Sequence, residues 1–167
     1  FVSVHCGLVD KNMAASLKSA GADQALIDVI GDDETFKKIY HVPFGVGRIR
    51  DAMAALSEAG MPIVPHIVCG IDYGRIVGEF KAIEMVSEFD LAQLVVVALM
   101  RIPGTPTATA LPPSSQSVAE VLVQARISNP DTIISLGCAR QRGNSSLEEL
   151  AIDAGINRMA LPSEEAI

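Results

Sequence analysis

The sequence predicts an α/β fold: a partial (β/α) barrel of the TIM type, with about six parallel strands alternating with helices. Three observations carry this. Short apolar runs recur along the chain, each followed by a Gly- or Pro-containing turn and an amphipathic stretch that often closes on Ala-Gly. The apolar content, 49% of 167 residues, is supplied by Ala, Val, Ile, Leu and Met, with two Tyr, five Phe and no Trp, as suits parallel strands covered by helices. Chemistry-bearing side chains then fall just beyond the apolar runs: His5 and Cys6, Asp28, His66 and Cys69, Arg101, Cys138 and Arg140, Ser163 and Glu164. In a parallel barrel, function belongs to the C-terminal ends of the strands.

Phe1 to His5 reads as the first strand. Asp10 is an N-cap for a helix reaching Leu17 to Ala20, and Gly21 is placed as its C′ residue. Gln24 to Ile30 is the second strand. A short helical piece near Glu34 to Ile39 follows, then a longer helix from Val46 to Ala59, ended by Gly60. Pro62 to Cys69 is the third strand; Pro62 is tolerated at its start, whereas Pro65 marks a bulge or a sheet edge. A helix runs from Arg75 to Glu88. Leu91 to Met100 is almost wholly apolar, a strand buried on both faces. The loop Ile102 to Ser115 holds four prolines and no helical period, and a loop of this kind is either functional or mobile. Gln116 to Ser128 is a helix, Thr132 to Gly137 the fifth strand, Ser145 to Ala154 a helix and Asn157 to Leu161 the sixth strand.

Strict alternation implies right-handed crossovers and one parallel sheet. No G-x-G-x-x-G follows the first strand, so a doubly wound dinucleotide-binding sheet loses to the barrel. Six units are two short of the eight that close a barrel, and the missing pair would leave two open sheet edges. The whole chain, residues 1–167, reads as one domain.

Charge and hydropathy narrow the partners. A formal net charge of -7 and a pI near 4.9 argue against nucleic acid, whose phosphates require clustered Lys and Arg. Mean hydropathy is +0.34, yet the longest apolar run, Leu94 to Met100, is strand-sized and far below the roughly 18 residues of a membrane span. The strand pattern at Phe1 has no basic leader before it, so no signal peptide is expected. Three widely spaced cysteines suit a reducing cytoplasm better than a disulfide framework.

Four segments occur in an order that carries a resemblance. They are Leu26-Ile27-Asp28-Val29-Ile30-Gly31-Asp32; His66-Ile67-Val68-Cys69-Gly70 leading to Gly78-Glu79; Leu99-Met100-Arg101-Ile102-Pro103-Gly104-Thr105-Pro106; and Ser135-Leu136-Gly137-Cys138-Ala139-Arg140. Together they resemble the later strands of radical S-adenosylmethionine (SAM) enzymes of the biotin synthase-like and archaeal-type lipoyl synthase-like class, from the third barrel strand to the eighth. The resemblance implies a transferase in which a [4Fe–4S] cluster cleaves SAM to a 5′-deoxyadenosyl radical, with sulfur insertion as the chemistry of the nearest members. Its substrate would be a small molecule or a protein-bound acyl group. The C-x-x-x-C-x-x-C loop that defines the family is not in this sequence: Cys6, Cys69 and Cys138 are too far apart to form it. The cysteines of biotin synthase's auxiliary cluster are unmatched as well, with Ser3 and Val64 in their places. The resemblance therefore implies a C-terminal portion that binds SAM, is inactive alone, and carries the cluster only in the intact protein, completed by the N-terminal part of the barrel or by a partner chain.

The candidate residues each have a plainer reading. Asp28 would accept from the ribose hydroxyls of SAM, or else cap the following turn; Asp32 is the better cap. His66 would line the barrel interior, or be a core histidine bonded to a neighbour. Gly70 and Gly74 allow close backbone approach to the adenine, or simply make the turn. Arg140 and Arg142 would clamp a carboxylate or phosphate, or be solvated; Arg101 shares the ambiguity. Glu164 and Glu165 face the mouth or form a solvated end. Cys6, Cys69 and Cys138 follow alternate strands and would share a layer, holding an auxiliary cluster with His5 or His66; the alternative, which weighs more, is three small buried hydrophobes.

Two other functions compete. An ordinary barrel enzyme of the aldolase or isomerase kind is disfavoured because Lys11, Lys18, Lys37, Lys38 and Lys81 all map to helices, leaving no Schiff-base lysine on a strand. A non-catalytic partner subunit or degenerate paralogue, completing another chain's half-barrel, is the alternative from outside enzymology.

Overall fold

The computed structural model describes residues 1–164. Its strands are β1 (Ser3–His5), β2 (Gln24–Asp28), β3 (Ile63–Cys69), β4 (Leu94–Ala98), β5 (Ile134–Leu136) and β6 (Arg158–Met159). The helices are α1 (Lys11–Ser19), α2 (Asp33–Tyr40), α3 (Gly47–Glu58), α4 (Glu79–Val86), α5 (Ser115–Ser128) and α6 (Ser145–Asp153). The strands form one parallel sheet in the order β1-β2-β3-β4-β5-β6.

That order decides between the two architectures. A doubly wound sheet reverses strand order at a switch point; here every strand pairs with the next in sequence, so all crossovers pass on one side. The fold is an open, singly wound part of a (β/α) barrel.

Alternation within each strand sorts side chains between two layers. Ala25, Ile27, Ile63, Ile67, Cys69, Leu94, Val96, Ala98, Ile134 and Leu136 pack outward into the helix-side core with Ile49, Met53, Leu56, Ile83, Val118 and Leu122. Each fully buried aliphatic side chain there contributes about 1.5–3 kcal/mol relative to exposure. Val64, Val95 and Val97 form a second, smaller cluster on the opposite face with Leu26 and Val68. This inner face also carries His5, Asp28, His66 and Ser135, whose strand neighbours are the outward residues.

Several elements are shorter than the sequence reading has them. The fourth helix begins at Glu79, not Arg75: residues before it form a tight turn, with Asp72 bridged to Arg75 and Gly74 at φ 91°. Pro65 sits where the pairing of β3 with the β4 segment slips by one residue, between Ile63↔Leu91 and His66↔Val95, so it marks a bulge and not a sheet edge. β3 is central; its pairing with β2 is unbroken from Ile63 to His66, whereas on the β4 side Ile63 bridges Leu91 and the continuous ladder begins at His66 with Val95. The missing proline N–H thus falls just short of that ladder. Asp10, Asp32, Ser114 and Asn144 cap α1, α2, α5 and α6 through their side chains.

Candidate functional site

Three inner-face side chains meet where β1 and β2 end against the middle of β3. Asp28 and His66 are register partners across β2 and β3, and His5 pairs with Leu26, two residues before Asp28. The His5 Nε2 lies 3.6 Å from Asp28 Oδ1, and the two imidazole centroids are 5.5 Å apart. From the last turn of α2, the Tyr40 hydroxyl donates to Asp28 Oδ2 at 3.4 Å. Burial and then the adjacent Asp28 charge push the Tyr40 phenol up to about 12, so it remains a donor throughout the physiological range. A cavity of about 200 Å³ adjoins His5, Asp28 and Tyr40 on the helix side of the strand ends, lined also by Ile27, Phe36 and Ile49; His66 is not in its lining.

Asp28 is not a cap. Asp32 takes that role, its Oδ2 accepting from the Thr35 backbone and hydroxyl at 2.8 Å each, and those bonds lower its pKa. Asp28 therefore keeps a half-exposed carboxylate at the strand end. His66 is half-buried on the inner face, with Nδ1 3.1 Å from the Val64 carbonyl. That contact makes Nδ1 the protonated nitrogen in the neutral ring, leaving Nε2 as acceptor. Burial lowers its pKa, so the neutral imidazole prevails at pH 7.

Other expected contacts are redirected by the fold. A Cβ on Gly70 would lie 2.7 Å from Pro113 Cδ, and one on Gly74 would strike the Leu111 carbonyl. The close approach that these glycines permit is made by the chain's own 99–114 loop, not by a ligand at Gly70. The crevice beneath, lined by Val29, Val68, Ile71 and Val77, has only about 10 Å³ of free space, too little for a nucleobase. Glu79 organises this turn from within: its buried carboxylate accepts from the backbone N–H of Gly70 (2.7 Å), Val77 (2.8 Å) and Gly78 (3.0 Å). Asp72, also buried, accepts from Lys38 at 2.7 Å and pairs with Arg75, tying the turn to α2; the Lys38 hydrogen bond leads in lowering its pKa.

Arg140 is a structural cation. It is fully buried, donating through NH1 to the Gly137 and Ala160 carbonyls at 2.7 and 2.8 Å and through NH2 to Glu148 at 2.6 Å. Its guanidinium has no free fork with which to clamp a cofactor. Glu148, held by the Ser163 hydroxyl and by Arg140, has its pKa lowered to about 2. Arg101 and Arg142 are exposed, as is Glu164; Glu165 lies outside the described residues.

The cysteines do not converge. Cys69 is buried in the helix-side core and Cys6 packs against it, while His5 and His66 face the other way and Cys138 is exposed. Burial raises both the Cys6 and Cys69 thiols, which disfavours thiolate ligation. Among the described residues no three His, Cys, Asp or Glu side chains are grouped to hold a metal. The residues present fit neither the radical SAM cluster nor an auxiliary one, because strand alternation sends Cys69 and His66 to opposite faces.

Tyr40, Glu79 and the Asp72–Lys38 pair were not legible as site builders in the sequence. The one signal was the helix start at Asp32-Asp33, which puts Tyr40 two turns on and facing back toward Asp28.

No known family profile matches this sequence, and no curated protein does. Solved structures do match. Methylornithine synthase (PylB) superposes with a TM-score of 0.75 at 19% identity, over 94% of this chain and 46% of its own. The FeFe-hydrogenase maturase HydG from Carboxydothermus hydrogenoformans gives 0.68 at 16% identity, over 94% and 38%. The HMG-CoA lyase from Brucella melitensis gives 0.62 at 12%, over 94% and 54%. The chain shares their fold. It spans between about two fifths and half of their lengths. The inner-face group of Asp28, His5 and His66 stands at the strand ends of that shared architecture. All five lysines lie on helices, and no helix among the described residues is long and apolar enough to cross a membrane.

Proposed function

We propose that this chain is the later wall of a radical SAM-type barrel, and that Asp28, with His5, His66 and Tyr40, receives the cofactor's ribose. The observation that carries the reading is the half-exposed Asp28 carboxylate at a strand end, engaged by side chains alone and beside a cavity of about 200 Å³. Its likeness in fold to PylB and HydG, which are radical SAM enzymes, supports it. SAM supplies the radical chemistry when bound to a reduced cluster; the cysteines among the described residues are not grouped to ligate one.

The chain's own residues position and exclude. Asp28 accepts from vicinal hydroxyls through the lone pairs that Tyr40 and His5 leave open. Tyr40 keeps the carboxylate from rotating. His66 offers Nε2 as a neutral acceptor toward the interior, and Val64, Val95 and Val97 keep that interior dry. Sulfur insertion of the biotin or lipoyl type, on a small molecule or protein-bound acyl group, is the finer reading and rests on the sequence resemblance.

The HMG-CoA lyase fold supports the rival, a barrel enzyme without the cluster. The coding sequence directly upstream of Phe1 separates the two. A C-x-x-x-C-x-x-C within about two β/α units, on the order of 60–80 residues at ~30 or more per unit, is the expected result. Its absence from the complete gene defeats the proposal in favour of the lyase-like enzyme or a non-catalytic subunit.

A further inference from the structure

At the C-terminal ends of β4 and β5 a separate cavity of about 270 Å³ lies between the loops that follow these strands. Leu99, Met100 and Pro112 give it an apolar wall; Arg101, Arg140 and Arg142 give it a basic one, and among the described residues no carboxylate lines it. The chain carries 13 Lys and Arg against 20 Asp and Glu, so three arginines around one cavity reverse the prevailing sign.

These arginines are not equivalent. Arg140 is neutralised by Glu148 and serves as the rigid back wall. Its Nε is buried with no acceptor, and it is the one side-chain nitrogen or oxygen so left among the described residues. Arg101 and Arg142 are in none of the ion pairs among the described residues, and Arg142 reaches only the Leu161 carbonyl, at 3.4 Å. Two uncommitted guanidinium forks beside an apolar wall match one chemistry: a planar or tetrahedral oxyanion on a small organic body.

We infer that this cavity binds the carboxylate or phosphate of a small-molecule ligand, with Arg101 and Arg142 as the anion's partners. The inference deepens the proposed function by naming the substrate's chemical class. It stands on geometry of its own, away from Asp28, and is tested without cluster or SAM.

The test titrates the 167-residue chain with inorganic phosphate and with succinate, followed by calorimetry and by the arginine Nε–H resonances. Saturable binding of at least one probe is expected, weakening with added salt and shifting the Arg101 or Arg142 resonances. The double variant Arg101→Gln/Arg142→Gln should bind about tenfold or more weakly, the loss of a charge-assisted bidentate contact. The double variant Arg48→Gln/Arg50→Gln, an equal charge change on α3, should bind as the unaltered chain does. Binding of phosphate alone assigns a phosphate ligand and of succinate alone a carboxylate; both outcomes support the inference. Failure of both probes, or undiminished binding by a double variant with an unchanged circular dichroism spectrum, overturns it. A missing upstream cysteine motif would defeat the radical reading and leave this result untouched.

Discussion

Arg140 shows how a residue's type can be read correctly and its role missed. Position beyond a strand and a guanidinium fork suggest a ligand clamp; burial against Glu148 makes it a strut between β5, α6 and the chain after β6. Removing one partner leaves an uncompensated buried charge, so Glu148→Gln should destabilise by about 3 kcal/mol in chemical denaturation. The double change Arg140→Met/Glu148→Leu should cost clearly less, since it removes both charges together. The pH dependence has a definite sign. Because the folded pKa of Glu148 is lowered to about 2, its contribution is present above its ordinary value near 4.5 and is lost as pH falls toward 2. His66 acts at higher pH: its folded pKa is lowered by burial, so stability declines as pH falls below about 6.5, where the unfolded chain binds the proton first. An NMR titration should find the His66 midpoint below 6.5, and a midpoint above it would contradict the inward, half-buried position. Asp28 and His66 were legible as candidates because strand ends and alternation point to them. Their partner Tyr40 was not, because the helix start at Asp32-Asp33 sets its turn, whereas its contact with Asp28 depends on how α2 packs on the sheet.

Among elements, the caps and the strand–helix rhythm were the legible part. Asp10, Asp32 and the Ala-Gly closures fix boundaries by local hydrogen bonding, which a sequence displays directly. The opening of α4 was not legible, since the apolar spacing from Arg75 onward is compatible with helix. What stops it is the buried Glu79 carboxylate collecting three backbone amides, together with the Asp72 pairs. The Pro-rich loop 99–114 illustrates the same limit. Its turns are visible in the sequence, but its seat over Gly70 and Gly74 is tertiary. Gly74 holds φ 91° with the Leu111 carbonyl against it, so Gly74→Ala both strains the backbone and pushes the loop away. A loss of more than about 1 kcal/mol is expected, with faster hydrogen exchange across residues 106–113. Unchanged exchange there would separate the loop from the turn beneath it.

For the whole molecule, strand order carries the most information. Alternating strands and helices fit a barrel or an open doubly wound sheet equally well; the missing phosphate-binding glycine motif and the polar residues beyond the strands tilted the sequence toward the barrel. The consecutive order β1 to β6 removes the ambiguity. It also explains why Cys6 and Cys69 do not meet His5 and His66: one winding direction gives an inner and an outer face, and a single-residue step moves a side chain between them. The central claim is that Asp28 and its neighbours form the cofactor-facing wall of a radical SAM barrel. Electron paramagnetic resonance of the full-length gene product, reconstituted anaerobically with iron and sulfide and then reduced, tests it most directly. The expected result is a [4Fe–4S]⁺ signal that shifts on adding SAM, with Asp28→Ala requiring more SAM for the same shift. A product that takes up no iron, or a signal indifferent to SAM, would contradict the claim.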